Sequence, residues 1–255
     1  MQGQFFWYDV MTTDTQAAAK FYGDVVGWGV QKADADGKEY SIFTVNGQGV
    51  AGLMPIPKEV RDQGVPPAWM GYIAVDDVDA AVEKLKREGG KLHKGPITVA
   101  GVIRFAVVSD PQGAGFLIAK GLTHDAPPPL PMGTTGTIGW RELYAGEWQS
   151  AFDFYQRMFG WTKAEAHDMG QMGGIYQLFA TGAEPVGGMM TRPPAIPCPF
   201  WGYYFNVPAI DAAAERVKAA GGKVVNGPHE VPGPMYIIQC TDPQGAYFAL
   251  VAPKR

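Results

Sequence analysis

Apolar residues return with helical spacing in "TTDTQAAAKFYGDVVGW", where Ala18, Phe21, Tyr22 and Val25 fall on one stripe. Asp14 stands where a helix N-cap belongs, and Gly27 stands where a helix stops. The same stripe recurs in "DDVDAAVEKLKREGG" through Val78, Ala81, Val82 and Leu85, ahead of Gly89. Each helix follows a short aromatic-rich strand, "FFWYDV" or "WMGYIAV". Each precedes strand-like segments bounded by turns such as "VNGQG" and "DPQG". The predicted unit is βαβββ, and it occurs twice before residue 122.

The second half of the chain repeats the first. "FYGDVVGW" from Phe21 faces "FYQRMFGW" from Phe154, Trp7 faces Trp140, and "VAGLMP" from Val50 faces "VGGMMT" from Val186. The pentapeptide DPQGA appears at Asp110 and again at Asp242. Asp in its first place accepts backbone bonds, Pro presets φ and Gly relieves crowding, so each copy reads as a hairpin tip. Between the copies, "THDAPPPLPMGTTG" carries a proline run that continues neither a helix nor a central strand. The expected organisation is a first domain over 1–122, a Pro-rich linker over 123–136 and a second domain over 137–255, with four βαβββ modules in all.

Composition narrows the function classes. At 255 residues with 46% hydrophobic content, the chain is long enough to bury a core in each copy. The formal net charge of −4, without a basic run, disfavours nucleic acid and anionic membrane surfaces as partners. Two cysteines, Cys198 and Cys240, make neither a disulfide framework nor a thiolate metal site. No apolar run approaches a membrane span, and "MQGQFFWYDV" lacks the features of a signal peptide, so the expectation is a reduced, cytoplasmic protein.

Paired βαβββ units, a "DDVDAA" helix start, "GG" near that helix end and a closing "SDPQGA" hairpin resemble the vicinal oxygen chelate superfamily. That superfamily includes glyoxalase I, bleomycin-resistance proteins and extradiol dioxygenases, and the chain is particularly similar to tandem glyoxalase-like proteins. The resemblance implies an α+β fold in which pairs of modules form cup-shaped half-barrels. It also implies a divalent metal held by His, Glu or Gln from the first and last strands of the modules. Carried over residue by residue, those ligand positions fall on Trp7 and Trp140, on Met70 and Gly202, and on Leu117 and Ala249. None ligates a hard or borderline divalent ion, so no metal and no cofactor is expected. His93, His124, His167 and His229 do not restore the set, since they form no i,i+4 pair or cluster, and His167 lies in a loop-like stretch.

Side chains two apart on a strand share a face, so Trp7 with Asp9, and Trp140 with Glu142, point where the ligand slot points. Two readings stand side by side. The tryptophans fill volume left by a lost metal, or they form the aromatic floor of a small-molecule pocket. Asp9 and Glu142 satisfy backbone N–H groups, or burial brings them toward acid/base range and makes them candidate catalytic residues. The same parity places Met70 and Tyr72 in one cup and Gly202, Tyr204 and Asn206 in the other. Arg104 and Tyr236 occupy corresponding places before the two DPQGA turns. Arg104 either snorkels to solvent or orients an anionic or carbonyl-bearing ligand.

The leading expectation is a protein without the usual metal ligands that binds a small apolar or aromatic organic molecule through Trp7, Asp9, Met70, Tyr72, Arg104, Leu117, Trp140, Glu142, Tyr204 and Tyr236. The alternative is a glyoxalase-like lyase, isomerase or dioxygenase with a non-standard site. A chain that already carries four modules is expected to be a monomer or a weak homodimer.

Overall fold

The computed structural model describes residues 1–33, 37, 39–123, 127–170 and 174–255. His124 and part of the expected linker lie outside the described residues. Four βαβββ modules follow one another. The first comprises β1 (Phe5–Thr12), α1 (Thr15–Val26), β2 (Gly29–Lys32), β3 (Ser41–Val45) and β4 (Gln48–Pro55). After a single-turn helix, α2 (Lys58–Arg61), come β5 (Ala68–Ala74), α3 (Val78–Arg87), β6 (Lys91–Val99), β7 (Ile103–Ser109) and β8 (Gly115–Gly121). The third comprises β9 (Ile138–Ala145), α4 (Trp148–Phe159), β10 (Thr162–Asp168), β11 (Ile175–Ala180) and β12 (Pro185–Thr191). The fourth comprises β13 (Phe200–Asn206), α5 (Ile210–Ala219), β14 (Lys223–Val231), β15 (Met235–Thr241) and β16 (Tyr247–Ala252). The fold is α+β, with strand orders β2-β3-β4-β1-β5-β8-β7-β6 and β10-β11-β12-β9-β13-β16-β15-β14. Among the described residues no helix is long and apolar enough to cross a membrane.

Local chemistry explains the helices. Asp14 accepts from Ala17 N at 2.9 Å and Asp77 from Ala80 N at 3.0 Å, which satisfies a donor that each helix start would leave orphaned. In the second repeat Glu147 caps α4 through Gln149 N and Ser150 N. Gly27 closes α1 at φ 89°, a left-handed conformation that a Cβ would penalise. α1, α3, α4 and α5 each bury an apolar stripe; on α1 this comprises Ala18, Phe21, Tyr22, Val25 and Val26.

Spatial packing divides the chain into two compact units, each drawing on both repeats. One contains Met1–Phe6, Met70–Ala126 and Trp140–Gly202; the other contains Trp7–Trp69, Pro127–Gly139 and Tyr203–Arg255. The core of the second is an aromatic cluster in which Tyr22 packs against Trp28, Phe43, Trp69 and Phe248. Trp69 Nε1 donates to Tyr22 Oη at 2.8 Å, and Tyr22 donates to Asp242 Oδ2 at 3.0 Å. The first unit repeats the arrangement: Trp201 Nε1 donates to Tyr155 Oη at 2.9 Å and Tyr155 to Asp110 Oδ2 at 3.2 Å. Phe116, Phe159 and Trp161 surround Tyr155, and its ring stacks on Trp161 at 4.9 Å.

The aspartates in these chains open the two DPQGA turns. Asp110 Oδ1 accepts from the Gln112 and Ala114 amides, and Asp242 Oδ1 from the Gln244 and Ala246 amides, all at 2.8–2.9 Å. The repeated pentapeptide is therefore a hairpin tip whose carboxylate also anchors a core tyrosine. A buried carboxylate is tolerated because both of its oxygens are paired.

Candidate functional site

The residues around Trp7 form one hydrogen-bonded cluster. Trp7 Nε1 donates to Asp9 Oδ1 at 2.9 Å and lies 3.0 Å from Tyr40 Oη; Tyr40 donates to the same Asp9 oxygen at 2.8 Å. Asp9 is 4% exposed. Burial, reinforced by the Asp9 charge and the hydrogen bond to it, holds the Tyr40 hydroxyl far above its ordinary pKa, so it remains a protonated donor. On β4, Gly52 is the register partner of Asp9. A Cβ at Gly52 would collide with Tyr40 Oη and Asp9 Oδ1, so only glycine leaves room for the phenol.

The second repeat builds the counterpart. Trp140 Nε1 donates to Tyr176 Oη at 2.8 Å, and the buried Glu142 stands two residues along β9. Gly188 is the register partner of Glu142, and a Cβ there would collide with the Tyr176 ring. Tyr40 and Tyr176 are site residues that the sequence reading missed. The signal was present in the aligned glycines of "VAGLMP" and "VGGMMT", Gly52 and Gly188, which mark a close approach by another side chain.

Register assigns the remaining candidates. Tyr72 on β5 and Leu117 on β8 are partners, both buried, and Phe105 lies 6.3 Å from the Tyr72 ring; Met70 lies two residues before Tyr72 and is half-buried. Arg104, adjacent to Phe105, faces the other way. Its guanidinium is held by Asp79 on α3 at 2.7–2.9 Å and by Thr98 at 2.7 Å, so it does not join Tyr72. Tyr204 is the partner of Ala249, and Gln239 lies opposite Ala249 and donates to Tyr204 Oη at 2.8 Å. Tyr236, three residues before Gln239 and opposite Ala252, lies on the reverse face from Tyr204. Arg104 and Tyr236 are thus corrected as ligand-facing residues. Counting from a turn fixes position along a strand, whereas the face is set by pairing with its neighbours. Asn206 has a structural role, donating to Thr137 O and Oγ1.

The donor chemistry at the implied metal slots does not fit a divalent ion. Indole N–H at Trp7 and Trp140 donates only, Met70 offers a thioether, and Gly202, Leu117 and Ala249 offer no side-chain donor atom. Asp9 Oδ1 is already engaged by two hydrogen-bond donors. Among the described residues, no group of three His, Cys, Asp or Glu side chains gathers anywhere. His93 pairs with Ser109 and His229 with Asn226; His167 lies in β10, a strand rather than a loop, opposite Tyr176.

Comparison with known proteins agrees with this fold. A family model described as the glyoxalase/bleomycin resistance protein/dioxygenase superfamily matches residues 4–118 and 137–250. The chain is 35% identical over 255 residues to CFP32 of Mycobacterium tuberculosis, a protein named only provisionally as a glyoxylase, covering 99% of this chain and 95% of that one. It is 31% identical over 258 residues to the anthracycline biosynthesis protein DnrV of Streptomyces peucetius, covering 96% and 91%. Among solved structures, the Mn(II)-bound glyoxalase from Novosphingobium aromaticivorans superposes with a TM-score of 0.67 at 17% identity, covering 100% of this chain and 83% of that one. Homoprotocatechuate 2,3-dioxygenase from Brevibacterium fuscum superposes with a TM-score of 0.68 at 13% identity, covering 100% and 82%. With two matched regions spanning most of its length and the paired βαβββ modules described above, the chain belongs to the glyoxalase/bleomycin resistance protein/dioxygenase superfamily.

Proposed function

We propose that this protein binds a small, flat, apolar or aromatic organic molecule without a metal, using the Trp7 and Trp140 indoles as contact surfaces. The observation that carries this reading is the Trp7–Asp9–Tyr40 cluster at the slot where the family would place a ligand atom. Its carboxylate is committed to holding an indole. An indole whose N–H is fixed by two partners presents its ring faces in one orientation, which lowers the ordering cost of stacking against it. The Trp140–Tyr176 bond repeats this device in the other repeat. A relative named for anthracycline biosynthesis supports the same class of ligand, because anthracyclines are flat polycyclic molecules.

Asp9 acts here as a positioning residue. Its Oδ1 accepts from both the Trp7 indole and the Tyr40 hydroxyl, which fixes the orientation of the indole. Calorimetric titration of wild type, Trp7→Ala and Trp140→Ala with anthracene sulfonate tests the reading. Loss of at least roughly tenfold in affinity is expected in the variant whose indole contacts the probe. Unchanged affinity in both folded variants would place binding elsewhere. Asp9→Asn tests the enzymatic alternative: turnover of a glyoxalase or dioxygenase substrate by wild type, abolished in this variant, would favour it.

A further inference from the structure

Arg192 directly follows β12. Its amide donates to Ala145 O at 2.8 Å, which carries the pairing of β12 with β9 one residue past the strand. Thr191 Oγ1 accepts from Trp148 N on the α4 side, so the Arg192 side chain leaves from the opposite face. That face also carries Met190 and its register partner Tyr144, whose ring stacks on Phe200 at 4.8 Å. The guanidinium is half-buried and incompletely matched there. Nη1 donates to Ile196 O, whereas Nε is buried and has no hydrogen-bond partner among the described residues. No carboxylate among the described residues pairs with Arg192.

The first repeat keeps this backbone without the charge. Ile56 N donates to Thr12 O at 2.9 Å in the same way, and the Ile56 side chain is buried at 5% exposure. An apolar residue therefore suits this place in the fold, and packing does not require the cation at Arg192. A partly enclosed charge without a counter-charge is costly to hold, and one neutral carbonyl satisfies only part of a guanidinium fork. A carboxylate in place of Ile196 O would supply the missing charge, with hydrogen bonds about twice as strong as those to a neutral acceptor. The loop over 193–199 can yield to such an exchange. Four of its seven residues are proline and have no N–H with which to bond to the sheet.

We infer that Arg192 is an anion anchor of the second repeat, which takes the carboxylate of a planar aromatic acid and releases the Ile196 carbonyl as it does so. The aromatic part of the ligand is argued from the Tyr144–Phe200 stack on the same face. The loop over 193–199 is then a strap that the guanidinium holds down until an anion replaces its acceptor. This site is separate from the indole of the same repeat: Arg192 stands level with Ala145, five residues along β9 from Trp140, or roughly 16 Å. The inference therefore does not depend on stacking at Trp140.

The test uses the full chain with benzoate and benzamide, planar probes of matched size that differ in charge. Wild type is expected to prefer benzoate by roughly tenfold, the value of a charge-assisted hydrogen bond over a neutral one. Arg192→Gln keeps a donor for Ile196 O but removes the charge, and Arg192→Ile restores the side chain that the first repeat accepts; both should abolish the preference. The NMR signal of the Arg192 Nε–H group, assigned by its loss in Arg192→Gln, should move with benzoate and hold still with benzamide. A fluorophore on the exposed Cys198 reads the loop, since Cys240 is buried. Its anisotropy should fall as benzoate takes the guanidinium from Ile196. Equal binding of the two probes by wild type, absence of benzoate binding, or a preference that survives both substitutions overturns the role of Arg192. Benzoate binding with an unmoved Nε–H signal or constant anisotropy overturns the exchange with Ile196.

Discussion

Tyr22 of the first repeat donates a 3.0 Å hydrogen bond to Asp242 of the second, 220 residues away, while Trp69 donates to the same phenol. Tyr22→Phe would leave the Trp69 N–H without its acceptor and Asp242 Oδ2 without its donor, both in a dry core. The expected loss is roughly 1–3 kcal/mol, the usual cost of buried groups left unpaired. Tyr155→Phe should cost a similar amount through Trp201 and Asp110. Denaturant unfolding monitored by circular dichroism measures both.

Because each compact unit takes one part from each repeat, cleavage in the Pro-rich segment near Pro128 should not yield two independent domains. The separated fragments are expected to be poorly soluble alone and to co-elute after mixing. Two fragments that remain folded and monodisperse on their own would contradict the packing of Tyr22 and Tyr155 against partners in the other repeat.

The turn carboxylates give stability a pH dependence of defined sign. Burial raises the pKa of both Asp110 and Asp242, against the opposing effect of their hydrogen bonds. The folded state then holds protons that the unfolded state releases. The contribution is fully present below the ordinary Asp pKa of about 3.9 and is lost as pH rises through the elevated folded values. Melting temperatures across this acid window should show a decline that Asp110→Asn and Asp242→Asn each reduce. An unaltered pH profile in both variants would contradict it.

Much of this architecture was readable locally, and the exceptions share a cause. The caps at Asp14 and Asp77, the stop at Gly27 and the two DPQGA tips depend on neighbours a few residues away, so their chemistry is visible in a short window. The partners of the indoles were not visible there. Tyr40 reaches Trp7 and Asp9 only through pairing among β1, β3 and β4, and Tyr176 reaches Trp140 similarly. The faces of Arg104 and Tyr236 likewise follow from cross-strand register. Residue types at the implied ligand slots could be counted along the chain, whereas the partners of those side chains depended on tertiary contacts.

The glycines opposite the carboxylates supply a further test. Gly52→Ala should displace Tyr40 from Asp9, and Gly188→Ala should displace Tyr176, each costing roughly 1–3 kcal/mol as an overpacked site. Quenching of tryptophan fluorescence should increase as Trp7 or Trp140 loses its fixed partners. Alanine variants with native stability and native quenching would show that the phenols are not held as described.

Elemental analysis of the full-length protein, purified without chelator and assayed alongside for anthracene sulfonate binding, addresses the central claim most directly. The account predicts full probe affinity in protein that carries no stoichiometric zinc, nickel, iron or manganese, because the implied ligand slots hold Trp7, Met70, Leu117, Trp140, Gly202 and Ala249. About one such ion per chain, lost together with binding in Asp9→Ala or Glu142→Ala, would contradict it.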